Sequence, residues 1–397
     1  MRVLFITGEF PPMQGGVGDC TNEIARALAA MGAHVCVLTS KKVVSDNLRS
    51  SSIVVRPIID KWNWSSTSII RETIREFSPD IVHIQFQTAA FGMHPMIYFS
   101  PILFSRANRE VKSVITFHDL RPPYLFPKAG PLRNWITRTL ASGCDAVIAT
   151  NAEDFLKLTL WNLKPRLIPI GSNIPNTQPS NNAIADLRNR HGIAEKETLL
   201  CYLGFLNESK GGETLIRALA LIPNAKLLMI GGQVGASDPT NAAYLARVQT
   251  LIDQLDLRAR VIWTDYAPPE IVSAYFFAAD LCVLPYRDGA SFRRGTLMAA
   301  LAHGCAIITT IDQRQWTKNF TVNRPSSNVH LPELVDEENC LLVEPDDPRA
   351  LADAIQRAAH SRDLREKIRA GARTLAQNFT WDSIARQHWD LYQRLLG

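Results

Sequence analysis

The chain has 397 residues, a length at which one hydrophobic core gives way to two, so two domains are expected. Its seven scattered cysteines, with no C-x-x-C and no Cys/His cluster, argue against a disulfide framework or a zinc site. A net charge of +5 without a dense basic block argues against a nucleic-acid partner.

Taken in chain order, the first half alternates short apolar runs with helical stretches. "VLFIT" reads as a strand, "VGDCTNEIARALAAMG" as an amphipathic helix ending at Gly32, and "VCVLT" as the next strand. "DIVHIQF", "SVITF", "DAVIAT" and "RLIPIG" follow as further strands. Strands separated by helices predict a parallel sheet covered on both faces. Residues 1–171 form this first domain. Residues 172–197, rich in Pro, Asn and Ser, read as a linker leading into a short helix. Residues 198–378 restart the pattern with "TLLCYLG", "AKLLMIGG", "RVIWTDY", "LCVLPY", "AIITT" and "CLLVEP". Residues 379–397 close the chain as one more amphipathic helix.

Both halves open alike. Gly8 and Gly15-Gly16 flank the first strand-to-helix loop, and Gly204 and Gly211-Gly212 flank the second. Such glycines let a ligand approach the backbone at a helix N-terminus. Neither loop fits the dinucleotide or P-loop pattern, since Lys210 precedes its glycine. Later, "PYRDGASFRRGTLMAALAHG" places Arg293 and Arg294 at the mouth of a helix, where the macrodipole disfavours cations unless an anion belongs there.

The segments "PPMQGGVGDCTNEIARAL", "PDIVHIQF", "TFHDL", "IPIGSNI", "LGFLNESKGGETLIRAL", "ENCLLVEPDDPRALADAI" and "FTWDSIA", in this order and spacing, resemble the family 4 glycosyltransferases. The resemblance spans nearly the whole chain. It implies the α/β GT-B fold, two Rossmann-like domains facing across a cleft, with the last helix crossing back to the first domain. It implies retaining transfer of a sugar from a nucleotide-diphosphate sugar, held by the C-terminal domain, to an acceptor on the N-terminal one. The acceptor class stays open among glycans, lipids and small molecules.

Carried over residue by residue, the donor-phosphate loop maps to Gly204–Gly211, with Lys210 on the diphosphate. Phe205 stands where the family has an arginine. Gly15 and Gly16 map to the acceptor-side loop, and His118, followed by Asp119, to the histidine near the transferred sugar. Tyr266 falls where the family lines its base pocket. The paired glutamates are replaced by Ser291 and Ala299, with Arg293 and Arg294 between them. The arginine pair is expected to supply the phosphate partner that Phe205 cannot. Asp119 and Asp288 are the carboxylates left as candidate nucleophiles. Front-face transfer is the preferred scheme, with Lys210 and an arginine stabilising the departing diphosphate.

No D-x-D pair of the kind that holds Mg²⁺ is present, so no cofactor and no metal are expected. "HDL" lacks the further ligands a metal phosphohydrolase needs. His83 reads as a core residue, whereas Gln85 and Gln87 lie nearer the ligand end of their strand. The excess positive charge sits in the first half, and Lys128, Arg133, Trp135 and Arg138 lie on or beside one helix. That leaves room for peripheral contact with an anionic membrane face, although a solvated helix face is the more ordinary reading. With no membrane-length apolar run and no leader-like N-terminus, the protein is expected in the cytoplasm. Two alternatives remain open: a non-catalytic nucleotide-binding relative, or an epimerase or phosphorylase on the same fold.

Overall fold

The computed structural model describes residues 1–13, 15–43, 52–101, 111–120, 130–232, 239–311 and 332–397. The chain divides into two compact units, Met1–Asn173 with Trp381–Gly397, and Ile174–Thr380.

The first unit is built on β1 (Arg2–Thr7), β2 (His34–Ser40), β3 (Ile53–Ile59), β4 (Ile81–Phe86), β5 (Lys112–Phe117), β6 (Ala146–Ala149) and β7 (Arg166–Leu167). All pair in parallel, in the order β3-β2-β1-β4-β5-β6-β7. The near-continuous apolar runs of β1, β4 and β5 are buried along almost their whole length, as a sheet covered on both faces requires. Alternation sorts the faces. Leu4, Ile6, Val82, Ile84 and Phe86 pack with Ile70 and Ile74 of α2 (Ser66–Phe77), with α3 (Gly130–Ser142) and with α4 (Ala152–Leu160). Val3, Phe5, Ile81 and Val114 face the other way, onto Ile24 and Leu28 of α1 (Gly16–Ala30) and Ile384, Leu391 and Tyr392 of the last helix, labelled α12 below (Trp381–Leu396).

Two details depart from the sequence pattern. β3 is a strand that the pattern does not announce, because Pro57 interrupts its apolar run and its residues are mostly half-exposed. Its place at the sheet edge is where a strand proline is tolerated. "RLIPIG" pairs over only two residues, since Pro169 has no N–H to continue the ladder.

The second unit repeats the plan. β8 (Thr198–Leu203), β9 (Ala225–Ile230), β10 (Val261–Trp263), β11 (Leu281–Leu284), β12 (Ile307–Thr310) and β13 (Leu341–Val343) form a parallel sheet in the order β10-β9-β8-β11-β12-β13. Its helices include α5 (Asn181–Arg190), α6 (Gly212–Ala220), α7 (Pro239–Gln254), α8 (Pro269–Ala278), α9 (Gly295–Ala302), α10 (Pro348–His360) and α11 (Arg362–Ala376). α6 packs on α7 and α10, α9 on α11, and α5 on α8. Residues 174–197, including α5, therefore fold as part of this unit. Among the described residues no helix is long and apolar enough to cross a membrane. All seven cysteines carry free thiols, and six are buried.

In each sheet the strand order reverses direction once, between β1 and β4 and between β8 and β11. Ligands of such sheets bind beyond the carboxyl ends of the strands at that reversal.

Candidate active site

At the β8/β11 reversal the chain turns sharply. Gly204 has φ +112° and Gly211 φ +68°, both left-handed. A Cβ on Gly204 would lie 2.8 Å from Lys210 Nζ and 3.0 Å from Thr296 Cγ2, and one on Gly211 would lie 1.9 Å from the Pro285 carbonyl oxygen. The loop therefore closes against the end of β11 only because both residues lack a side chain. Arg287 braces it, pairing with Glu208 at 2.8 Å and Asp346 at 2.9 Å while its N–H donates to Ser209 O at 2.9 Å.

Across this loop lies the N-terminus of α9, whose N-cap residue is Arg294. The Arg294 side chain makes no capping hydrogen bond to this helix. The Arg294 guanidinium sits 4.1 Å above the Tyr286 ring and pairs with Asp288. Its side chain is 14% exposed, and its Nε is buried without a hydrogen-bond partner. The Tyr286 hydroxyl in turn meets Thr296 Oγ1 at 2.6 Å. Burial, and then the charge of Arg294, push the Lys210 ammonium down to about 8. Two cations are thus held together beside the N-terminus of α9, an arrangement an anion would relieve.

In the first unit, His118 follows β5, and its N–H continues the ladder to Phe86 O at 3.0 Å. His118 Nε2 lies 2.7 Å from Gln85 Oε1. Burial, and then the charge of His388, lower this imidazole to about 4, so it is neutral at pH 7. Behind it His83 bridges Thr116 Oγ1 at 2.7 Å and Tyr392 Oη at 2.5 Å. Asp119 accepts from Gln87 Nε2 at 3.4 Å. At the other loop, the Glu9 carboxylate accepts from the N–H groups of Val17 at 3.1 Å and Gly18 at 3.3 Å. A Cβ on Gly15 would lie 2.2 Å from Glu9 Oε1, whereas Gly16 has open space around it. Gly15 thus makes room for the chain's own carboxylate, which burial raises above its usual range.

Residues 15–171 match the family model described as a glycosyl transferase 4-like domain, and residues 183–313 the model described as glycosyl transferases group 1. The chain belongs to this glycosyltransferase family. A D-inositol 3-phosphate glycosyltransferase of Xylanimonas cellulosilytica is 27% identical over 262 residues, covering 64% of this chain and 58% of that protein. The match thus spans a little over half the length of that relative. A GDP-mannose-dependent alpha-(1-6)-phosphatidylinositol monomannoside mannosyltransferase of Mycobacterium tuberculosis is 23% identical, over 72% of this chain and 73% of its own. Among solved structures, Anabaena Alr3699/HepE superposes with a TM-score of 0.76 at 18% identity, over 99% of this chain and 100% of that one. Sucrose-phosphate synthase from Thermosynechococcus elongatus gives 0.71 at 24% identity, over 99% and 98%. The fold is GT-B.

Within this group 1 glycosyltransferase the sequence candidates separate into sets. Gly204, Lys210, Gly211, Asp288 and Arg294 come together at the β8/β11 reversal. Arg293 and Ser291 stand partly exposed in the turn before α9, and Ala299 is fully buried in that helix, so neither 291 nor 299 presents a carboxylate. Phe205 is 42% exposed and leans on Gly232, where a Cβ would meet its Cε1 at 2.8 Å. Tyr266 is 75% exposed in the loop after β10. Trp135 and Arg138 are exposed on α3, while Lys128 and the side chain of Arg133 lie outside the described residues. Three residues escape a reading of the sequence: Tyr286, Thr296 and Glu9. Each is tied to the site by a contact between distant segments or by a backbone turn, and spacing along the chain signals neither.

Proposed function

We propose that this protein transfers a sugar, with retention of anomeric configuration, from a nucleoside-diphosphate sugar to a hydroxyl acceptor. The convergence of Lys210 and Arg294 on the uncapped N-terminus of α9 carries the reading. There the diphosphate receives first-turn amide N–H groups, an ammonium and a guanidinium held over the Tyr286 ring. The guanidinium supplies the cation that Phe205, an apolar ring in the phosphate loop, does not.

Transfer proceeds on one face of the sugar. The acceptor oxygen bonds to the anomeric carbon as the bond to the leaving phosphate breaks, and the hydroxyl proton passes to a phosphate oxygen of the donor. Lys210 and Arg294 stabilise the charge that develops on the departing diphosphate. Asp288 is committed to Arg294, so it orients that arginine instead of attacking carbon. His118, neutral, contacts the transferred sugar, and the first unit carries the acceptor with Asp119 and the Gly15-Gly16 loop beside it. Structures of fold relatives in complex with UDP, UDP-glucose and ADP support a nucleotide-bearing donor. The inositol phosphate and phosphatidylinositol mannoside named for the sequence relatives support a hydroxylated acceptor, soluble or lipid-borne.

The test is a thermal-shift titration with UDP, GDP, ADP, CMP and dTDP and their common sugars, on wild type and Arg294→Ala. One nucleoside diphosphate is expected to stabilise wild type by about 2.7 kcal/mol at 100 times its dissociation constant. Arg294→Ala should weaken that binding roughly tenfold or more, the worth of one charge-assisted hydrogen bond. Stabilisation by none of them, or an unchanged affinity in the variant, would sink the reading.

A further inference from the structure

We propose that Gln85 sets the tautomer of His118, so that His118 meets the transferred sugar through a bare Nδ1 and accepts a hydrogen bond from a sugar hydroxyl. The inference rests on the reading of His118 as a sugar contact and adds the direction of that contact.

The register of the sheet creates the arrangement. β4 and β5 pair with Gln85 opposite Thr116 and His83 opposite Val114. Ile81 and Val114 belong to the core on the α12 side, so by alternation His83, Gln85, Thr116 and His118 project toward that same face. An apolar core there receives four polar side chains in a row. Gln85, His83 and Tyr392 are each 0% exposed, so no solvent competes for their hydrogen bonds.

The chain of contacts has a direction. The Gln85 carbonyl Oε1 faces His118 Nε2 at 2.7 Å, and its amide Nε2 faces His83 Nε2 at 3.5 Å. A carbonyl oxygen only accepts, so the neutral His118 ring carries its proton on Nε2. His83 Nε2, approached by the amide and by Thr116 Oγ1, is then the bare nitrogen, and His83 Nδ1–H donates to Tyr392 Oη. His118 Nδ1 makes no hydrogen bond among the described residues. The titratable groups around His118 are Asp119 on its own loop, His83 on β4 and His388 on α12. His388 donates from Nδ1 to Ile384 O at 2.8 Å, and its Nε2 is buried without a hydrogen-bond partner among the described residues, so neither of its ring nitrogens bonds to His118 or Gln85. Gln85 is thus a positioning residue acting through His118.

The experiment uses the full chain with ring-¹⁵N histidine and long-range ¹H–¹⁵N correlation, with the His118 signal assigned by His118→Ala. Wild type should show the Nε2–H tautomer. Gln85→Met should shift the ring toward a mixture of tautomers. Gln85→Glu, still an acceptor, should keep Nε2–H and move the titration of His118 to higher pH. UDP with UDP-glucose and GDP with GDP-mannose serve as binding probes. Gln85→Met should weaken the sugar nucleotide that binds by roughly fivefold, about one hydrogen bond, and leave the bare diphosphate unchanged. An Nδ1–H tautomer in wild type, an unmoved tautomer in Gln85→Met, or equal weakening of diphosphate and sugar nucleotide overturns the proposal. Failure of every nucleotide to bind leaves the wild-type tautomer readable and counts against the transferase reading instead.

Discussion

At Gly211 the backbone conformation and the space around it make the same demand. A φ of +68° disfavours any side chain, and the Pro285 carbonyl stands 1.9 Å from where a Cβ would be. Backbone atoms cannot yield as a flexible side chain can, so Gly211→Ala should cost at least about 1–3 kcal/mol, the range for strain at a special backbone position. Urea unfolding would show it as a lower midpoint with an unchanged slope. A midpoint within experimental scatter of wild type would mean that the loop reshapes freely. Lys210 follows from the same geometry, because its turn is the one that Gly211 permits and Arg287 braces. The lysine and the glycines could be read from the sequence. Tyr286 could not, since its role is to lie beneath a guanidinium that the turn of residues 286–294 brings over it.

Elements carry the next level. α9 begins at an arginine with no capping side chain, although Ser, Thr, Asp or Asn would ordinarily stand there. α10, by contrast, is capped by Asp347 accepting from Arg349 and Ala350 at 3.0 Å. The difference between these two helix starts is visible in the sequence as "RRGT" against "DDPRA". The closing helix α12 teaches the opposite lesson. Its amphipathic pattern was legible, but its partner was not: it lies on α1 and the β1/β4/β5 face, hundreds of residues away in the chain. Its apolar residues are buried there, and the Tyr392 hydroxyl completes the polar row by meeting His83. Tyr392→Phe should therefore lower stability by about 1–3 kcal/mol, the cost of leaving a buried partner unsatisfied. Chemical denaturation of the purified variant measures it. A neutral effect would mean that His83 finds another partner. β3 was illegible for a local reason, since Pro57 and half-exposed neighbours mask a strand that only edge pairing stabilises.

On the scale of the whole molecule, two parallel sheets of one strand order present two reversals, and each unit holds depressed cations that titrate in a different pH window. In the first, His118 and His388 are each lowered to about 4 by burial, His118 additionally by His388. The unfolded chain takes up these protons near pH 6.5 and the folded chain does not, so stability falls as pH drops below about 6.5. Each group contributes up to about 1.4 kcal/mol per pH unit. The raised carboxyls of Glu9, Asp19 and Glu23 act in the opposite sense lower down, so the histidine slope is cleanest near about pH 6. His388→Leu should remove close to one proton of that dependence. In the second unit, Lys210 at about 8 is likewise a depressed cation, so stability should rise between pH 8 and 10.5 as the unfolded chain alone remains protonated. Unfolding at a series of pH values tests both limbs, and a profile flat across both windows would contradict them.

The chain alone announces the two-part α/β architecture, because strand and helix periods and the paired glycine loops are local properties. It also marked Lys210, His118 and the arginine pair as the residues to examine. Tertiary structure alone decided which arginine joins the lysine, that Glu9 fills the start of α1, and that Gln85 stands against His118. Those outcomes depend on register and packing between segments tens to hundreds of residues apart, where a shift of one residue along a strand would send every side chain to the opposite face.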